Sequence, residues 1–229
     1  NHIIDASAPS AARVVFRHYG GQKAFATISE EMMDAVDKAD AARFSLDEIL
    51  QPTGWVLLNY LMDARTGLGR FRTFRISNYW LMMALIDDCR RYTIAEILEL
   101  PDVKERVDLF KEHEPMFKEQ LMRCARVEDN VVVLDLREEE VIYSGNRFMI
   151  YALFPQCNVS IHILWGFRKQ NTVFACGKSI VNRSSNTNIG EIMLQYGGGG
   201  HQAAGTCQVE HEQAVRVGGE IVSRFTADG

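Results

Sequence analysis

The side chains best suited to chemistry lie between residues 178 and 205. Residues 195–205 read QYGGGGHQAAG, and residues 178–185 upstream read KSIVNRSS. Consecutive glycines let successive backbone N–H groups point into one concavity, because no Cβ blocks approach or restricts φ. Gly197, Gly198, Gly199 and Gly200 are therefore expected to form a nest for phosphate oxygens, with His201 as a side-chain donor at its edge. Arg183, Ser184 and Ser185 add a guanidinium fork and two hydroxyls, which suit the same oxygens. Alone, the glycine run also fits a loop that ends a helix and permits a tight crossing, and Arg183 fits a surface cation. Together they point to one anion site.

A second basic feature is RTGLGRFRTFR, residues 65–75. Arg65, Arg70, Arg72 and Arg75 interleave with Phe71 and Phe74, with no acid inside the strip. Arg70 and Arg72 are candidates to meet the far phosphates of a polyphosphate or to clamp a short single strand stacked on the rings. The alternative is a loop joining two helices and pairing with their acidic faces. The histidines elsewhere read as structural: His18 at a helix end, His113 and His211 on solvated helix faces, and His162 within a strand. Trp55, Trp80 and Trp165 each sit in apolar runs and are expected in the core.

The elements that must position these groups change character along the chain. Up to about residue 125 the pattern is helical, with Ser10 and Ser29 as caps and capping boxes at Ser45/Glu48 and Thr93/Glu96. Beyond residue 126 come VVVLDLR, RFMIYALF, VSIHILWGF and TVFACGKS, short runs rich in β-branched and aromatic residues that predict strands. A short helix near residues 188–196 precedes the glycines, and another follows near 211–225. The expected fold is α/β, with a helical part over 1–125 and a smaller mixed-sheet α+β part over 126–229.

Bulk properties narrow the partners. The 229 residues carry a net charge of −5, and residues 126–229 hold nine Lys/Arg against eleven Asp/Glu. No global positive field attracts nucleic acid or anionic lipid, so an anionic ligand must be held by a few placed groups. No apolar run reaches the ~18 residues of a membrane span. Five dispersed cysteines with no C-x-x-C pair predict reduced thiols and a cytoplasmic protein.

The order strand, R-S-S, helix, GGGGH-x-A-A-G resembles the C-terminal associated domain of the DHH phosphoesterases, which include nanoRNases, RecJ-type exonucleases, cyclic-dinucleotide hydrolases and exopolyphosphatase-like proteins. A similar domain occurs in alanyl-tRNA synthetases. The resemblance covers roughly residues 126–229 and implies a substrate-phosphate role for Arg183, Ser184, Gly199, Gly200 and His201. Upstream, APSAARV (8–14) is similar to the family's small-residue helix start, often S-T-A-E, and DAVDKAD (34–40) followed by Phe44 is similar to a segment whose aspartate binds metal. Asp37 and Asp40 are the candidate Mn²⁺ or Mg²⁺ ligands by that resemblance, since hard oxygen donors suit those ions. The same residues also fit a solvated helix face with Asp34 and Lys38 paired.

The family's D-x-D and Asp-His-His motifs do not occur in these residues, and the resemblance places them upstream of Asn1. His2 and Asp5 do not restore them. The expectation is therefore a two-metal phosphoesterase whose metal site is incomplete in this fragment, acting on a small phosphorylated substrate. Candidates are a short oligonucleotide, a cyclic dinucleotide, a 3′-phosphoadenosine nucleotide or polyphosphate, with a lean to the exopolyphosphatase-like branch. The alternative is a non-catalytic phosphate or nucleic-acid binding module. Dimerisation through an apolar helical face is expected, and a membrane role is not.

Overall fold

The computed structural model describes residues 2–229, which form two compact units. The first holds the residues up to Glu114 together with Ser144–Asn146, and the second holds Pro115–Tyr143 and Arg147–Gly229.

The first unit is helical: α1 (Ala11–His18), α2 (Glu30–Asp40), α3 (Leu46–Leu50), α4 (Gly54–Met62), α5 (Asn78–Arg91), α6 (Ile94–Glu99) and the start of α7 (Pro101–Cys124). Side-chain oxygens set the starts. Ser10, Ser29, Ser45, Ser77 and Thr93 each accept from the amide three residues on, and both expected capping boxes close. The buried centre includes Ile49, Tyr60, Leu61, Leu68, Leu81 and Ile97.

Two expectations fail here. α5 buries Leu81 and Leu85 but exposes Tyr79, Trp80, Met82, Met83 and Ile86, so Trp80 is not a core residue. A helix apolar on all sides can turn only one face to its own unit. His113 is buried rather than solvated, and its Nδ1 meets the amide of Ser144 at 3.1 Å.

The second unit is built on a six-stranded mixed sheet. Its elements are β1 (Ala125–Glu128), β2 (Val131–Asp135), α8 (Met149–Leu153), β3 (Val159–Trp165), β4 (Thr172–Lys178), α9 (Ile189–Gln195), β5 (Gly199–His201), β6 (Ala204–Val209) and α10 (His211–Ala227). The strand order is β1-β2-β3-β4-β6-β5, and β2/β3 is the parallel pair. Alternate residues of one sheet face, among them Val131, Ile161, Phe174 and Cys207, form a core with Ile189, Met193, Val217, Ile221 and Phe225 of α9 and α10. The α/β class matches the expectation.

RFMIYALF was expected as a strand, but its centre is α8. A parallel β2–β3 pair needs a crossover connection, and α8 supplies it, with Tyr151 Oη 2.8 Å from Ser160 Oγ of β3. An apolar run of that length has no period that separates buried helix from buried strand. Among the described residues no helix is long and apolar enough to cross a membrane.

Candidate functional site

The glycine run does three structural jobs before any ligand is considered. Gly197 (φ 74°) and Gly198 end α9: their amides donate to Leu194 O at 3.1 Å and Met193 O at 3.0 Å. Those two N–H groups are used inside the protein, which removes them from the expected four-amide nest. Gly198 and Gly200 also lie where backbones nearly touch. A Cβ on Gly198 would stand 2.0 Å from Thr206 O, and one on Gly200 would stand 2.2 Å from Ala204 O. At Gly199 a Cβ would meet nothing within 4 Å. Residues 199–201 are strand β5, paired with β6, rather than a loose loop.

The resulting hairpin presents His201 at its tip. The imidazole is exposed, and its Nδ1 accepts from the Ala203 amide at 3.2 Å. A neutral ring with Nδ1 accepting carries its proton on Nε2, so the outward nitrogen is a donor. The tip is bolted down on both sides: Gln202 O accepts from the Ile189 amide of α9 and Ala203 O from the Lys178 amide of β4, at 3.3 and 2.8 Å.

Lys178 joins the two halves of the site. While its amide holds the hairpin tip, its Nζ donates to Ser185 O at 3.1 Å and so holds the R-S-S loop. Ser184 Oγ accepts from the buried Asn158 Nδ2 at 2.9 Å, which leaves its hydroxyl proton to donate outward. Arg183 is exposed, its Nε on Ile180 O at 3.1 Å. Ser185 is turned inward, its Oγ taking the Thr187 amide at 3.3 Å, so of the two serines only Ser184 is exposed. Thr187 Oγ1, in the same loop, is buried with no hydrogen-bond partner among the described residues. Lys178, Asn158 and Thr187 escaped the sequence reading; the position of Lys178 at the end of a predicted strand was the signal.

The metal candidates lie in the first unit. Arg13, with its side chain 9% exposed, donates to Glu30, Asp34 and Asp37 at 2.8, 2.7 and 2.7 Å. Ser10 Oγ donates to the other oxygen of Asp37. The Glu30 and Asp37 carboxylates hold the Arg13 guanidinium well above its usual range. Asp34 thus pairs with Arg13 rather than Lys38, and Lys38 pairs with Glu48. Asp40 is exposed at the end of α2. Among the described residues no group of three His, Cys, Asp or Glu side chains is placed to hold a metal. These residues by themselves do not fit a divalent ion.

Ion pairing sorts the arginine strip. Arg65 is clamped by Asp63 at 2.7 Å, and Arg75 faces Asp102 at 3.6 Å while its amide donates to Glu105. Those two behave as the pairing alternative predicts. Arg70 folds back on Gly67, with its Nε on Gly67 O at 3.2 Å, and burial lowers its pKa. Arg72 is exposed and makes no ion pair among the described residues.

The chain is 65% identical to a pGpG-specific phosphodiesterase, PggH, from Vibrio cholerae, over all of this chain and 77% of that one, with a TM-score of 0.90. This chain belongs to the DHH phosphoesterase family. An exopolyphosphatase-related protein from Bacteroides fragilis is 14% identical over 96% of this DHH chain and 57% of its own, with a TM-score of 0.49. A DHH domain from a member of a ribosomal protein family is 13% identical over 86% of this chain and 46% of its own, at a TM-score of 0.46. No protein-family model and no curated protein matches the chain.

Proposed function

We propose that this DHH-family protein hydrolyses the phosphodiester of a short linear dinucleotide of the pGpG type. The observation that carries the reading is the 65% identity, at a TM-score of 0.90, to a pGpG-specific phosphodiesterase over the whole chain. Of the substrate classes left open by the sequence, we favour this one over polyphosphate, the cyclic dinucleotides and the 3′-phosphoadenosine nucleotides.

In this reading His201 Nε2–H, the Ser184 hydroxyl and the Arg183 guanidinium bind one non-bridging phosphate face. They orient the ester and neutralise charge that grows as the leaving oxygen departs. Lys178 is a positioning residue: it sets the distance between the hairpin tip and the R-S-S loop. Asp37 and Asp40 supply no metal site by themselves, since Arg13 and Ser10 engage both oxygens of Asp37 and no group of three metal-binding side chains forms among the described residues.

The test is release of GMP from pGpG by the full-length protein with Mn²⁺ or Mg²⁺, beside cyclic di-GMP and polyphosphate. Preferential cleavage of pGpG is expected. Binding of pGpG without any GMP release would make the protein a binding module and overturn the catalytic reading.

A further inference from the structure

The first unit contains a cavity of about 130 Å³ beside the arginine strip, lined by Gly69, Phe71, Arg72, Phe74 and Asn78 among others. That is roughly four times the ~30 Å³ share of one water, enough for one ring system or one phosphate and too small for a dinucleotide. Its walls are held from behind. Phe71 and Phe74 have centroids 6.4 Å apart, and Phe71 abuts the buried His113 edge-on at 5.2 Å. The fully buried Arg106 lies 4.1 Å from the Phe74 centroid.

Arg106 is fixed in turn by Asp102 O at 2.6 Å, Ile76 O at 2.7 Å, Glu105 Oε1 at 2.9 Å and Asn78 Oδ1 at 2.9 Å. Glu105 neutralises it, so the cation that faces the cavity is Arg72. The same bond orients the Asn78 amide: Oδ1 is taken by Arg106, and Nδ2 makes no hydrogen bond among the described residues. Nδ2 would lie 3.3 Å from a Cβ on Gly69, which places it over that glycine in the cavity wall. Asn78 is also the first residue of the 14-residue α5, whose N-terminal dipole favours an anion.

An aromatic wall, an outward cation and an amide that shows only donors form a specific set of contacts. Guanine offers two adjacent acceptors, O6 and N7, whereas adenine pairs its N7 with an N6 donor. We propose that this cavity seats the guanine base of one nucleotide unit, with the base against Phe74, Asn78 Nδ2 donating to O6, and the exposed Arg72 on the phosphate outside it. The assignment rests on the dinucleotide reading and extends it to base selection.

The experiment titrates the full-length protein with GMP, AMP, guanosine and inorganic phosphate, following the Gly69 amide and Asn78 side-chain resonances by NMR. GMP is expected to move both and to bind about tenfold tighter than AMP. Asn78→Asp keeps an acceptor for Arg106 and removes the donor, and should abolish that preference. Arg72→Gln should weaken GMP and leave guanosine unchanged. Equal affinity for GMP and AMP, or phosphate alone moving both resonances as far as GMP does, overturns the guanine seat. Cleavage of pGpG with the two resonances unmoved overturns this inference alone. GMP bound in the cavity without pGpG cleavage supports the seat and overturns only the catalytic reading.

Discussion

The Arg13 cluster of the first unit and the hairpin site of the second use similar groups to opposite ends. In the cluster, one guanidinium is enclosed by three carboxylates, and both oxygens of Asp37 are engaged. In the hairpin site, internal bonds use backbone groups, one His201 nitrogen and one Ser184 lone pair, and they leave Nε2–H and a hydroxyl proton directed outward. Residue type alone does not make a binding site. What matters is whether the fold consumes the hydrogen-bonding capacity or spends only enough to orient it.

The comparison breaks most readily at the glycines. Gly198→Ala should destabilise the second unit by about 3 kcal/mol or more, because its Cβ would overlap Thr206 O and nearby backbone rather than a yielding side chain. Gly199→Ala should be near neutral in thermal unfolding, since its Cβ meets nothing. Equal losses at the two positions would remove the distinction between a glycine closed in by backbone and one beside open space.

Arg13→Met strips Asp37 of its charged partner and gathers three carboxylates without a cation. A loss of about 3 kcal/mol in chemical denaturation is expected, whereas Glu30→Gln, at an exposed partner, should lose well under ~1 kcal/mol. A neutral Arg13 variant would mean that the cluster is not the closed ion-pair system described.

His162, in the middle of β3, sharpens the contrast between structural and functional histidines. Burial pushes its imidazole down to about 4. The folded state therefore resists the proton that the unfolded chain accepts near pH ~6.5, so the contribution is complete above that value and is lost as pH falls toward 4. Stability should drop by about 2 kcal/mol between pH 7.5 and pH 5. His162→Leu should flatten that dependence in melts across pH, and an unchanged slope would assign the effect to other groups.

The smallest expected effects concern the exposed site itself. His201→Ala should raise KM for pGpG about tenfold, worth ~1.4 kcal/mol, with no change in melting temperature. Lys178→Met should raise KM similarly, and Lys178→Arg should restore part of it. A fall in kcat alone, without rescue, would argue against positioning.

Much of this was legible locally. Ser10, Ser45 and Thr93 mark helix starts because a side-chain oxygen and an amide three residues on form a short-range pair that needs no tertiary partner. The R-S-S and GGGGH stretches marked a candidate anion site through residue types alone. The α/β class followed from the change of period beyond residue 126.

Tertiary structure decided the rest, because it depends on what lies opposite each residue. Gly199–His201 became a strand through pairing with Ala204–Val209, although glycine has no local preference for one. Residues 149–153 became a helix because the parallel β2–β3 pair needs a crossover. Among the arginines of one strip, Arg75 found Asp102, and Arg72 found no acid among the described residues. Asp37 and His201 were both candidates in one dimension; Arg13 closed the first, and the hairpin left the second exposed.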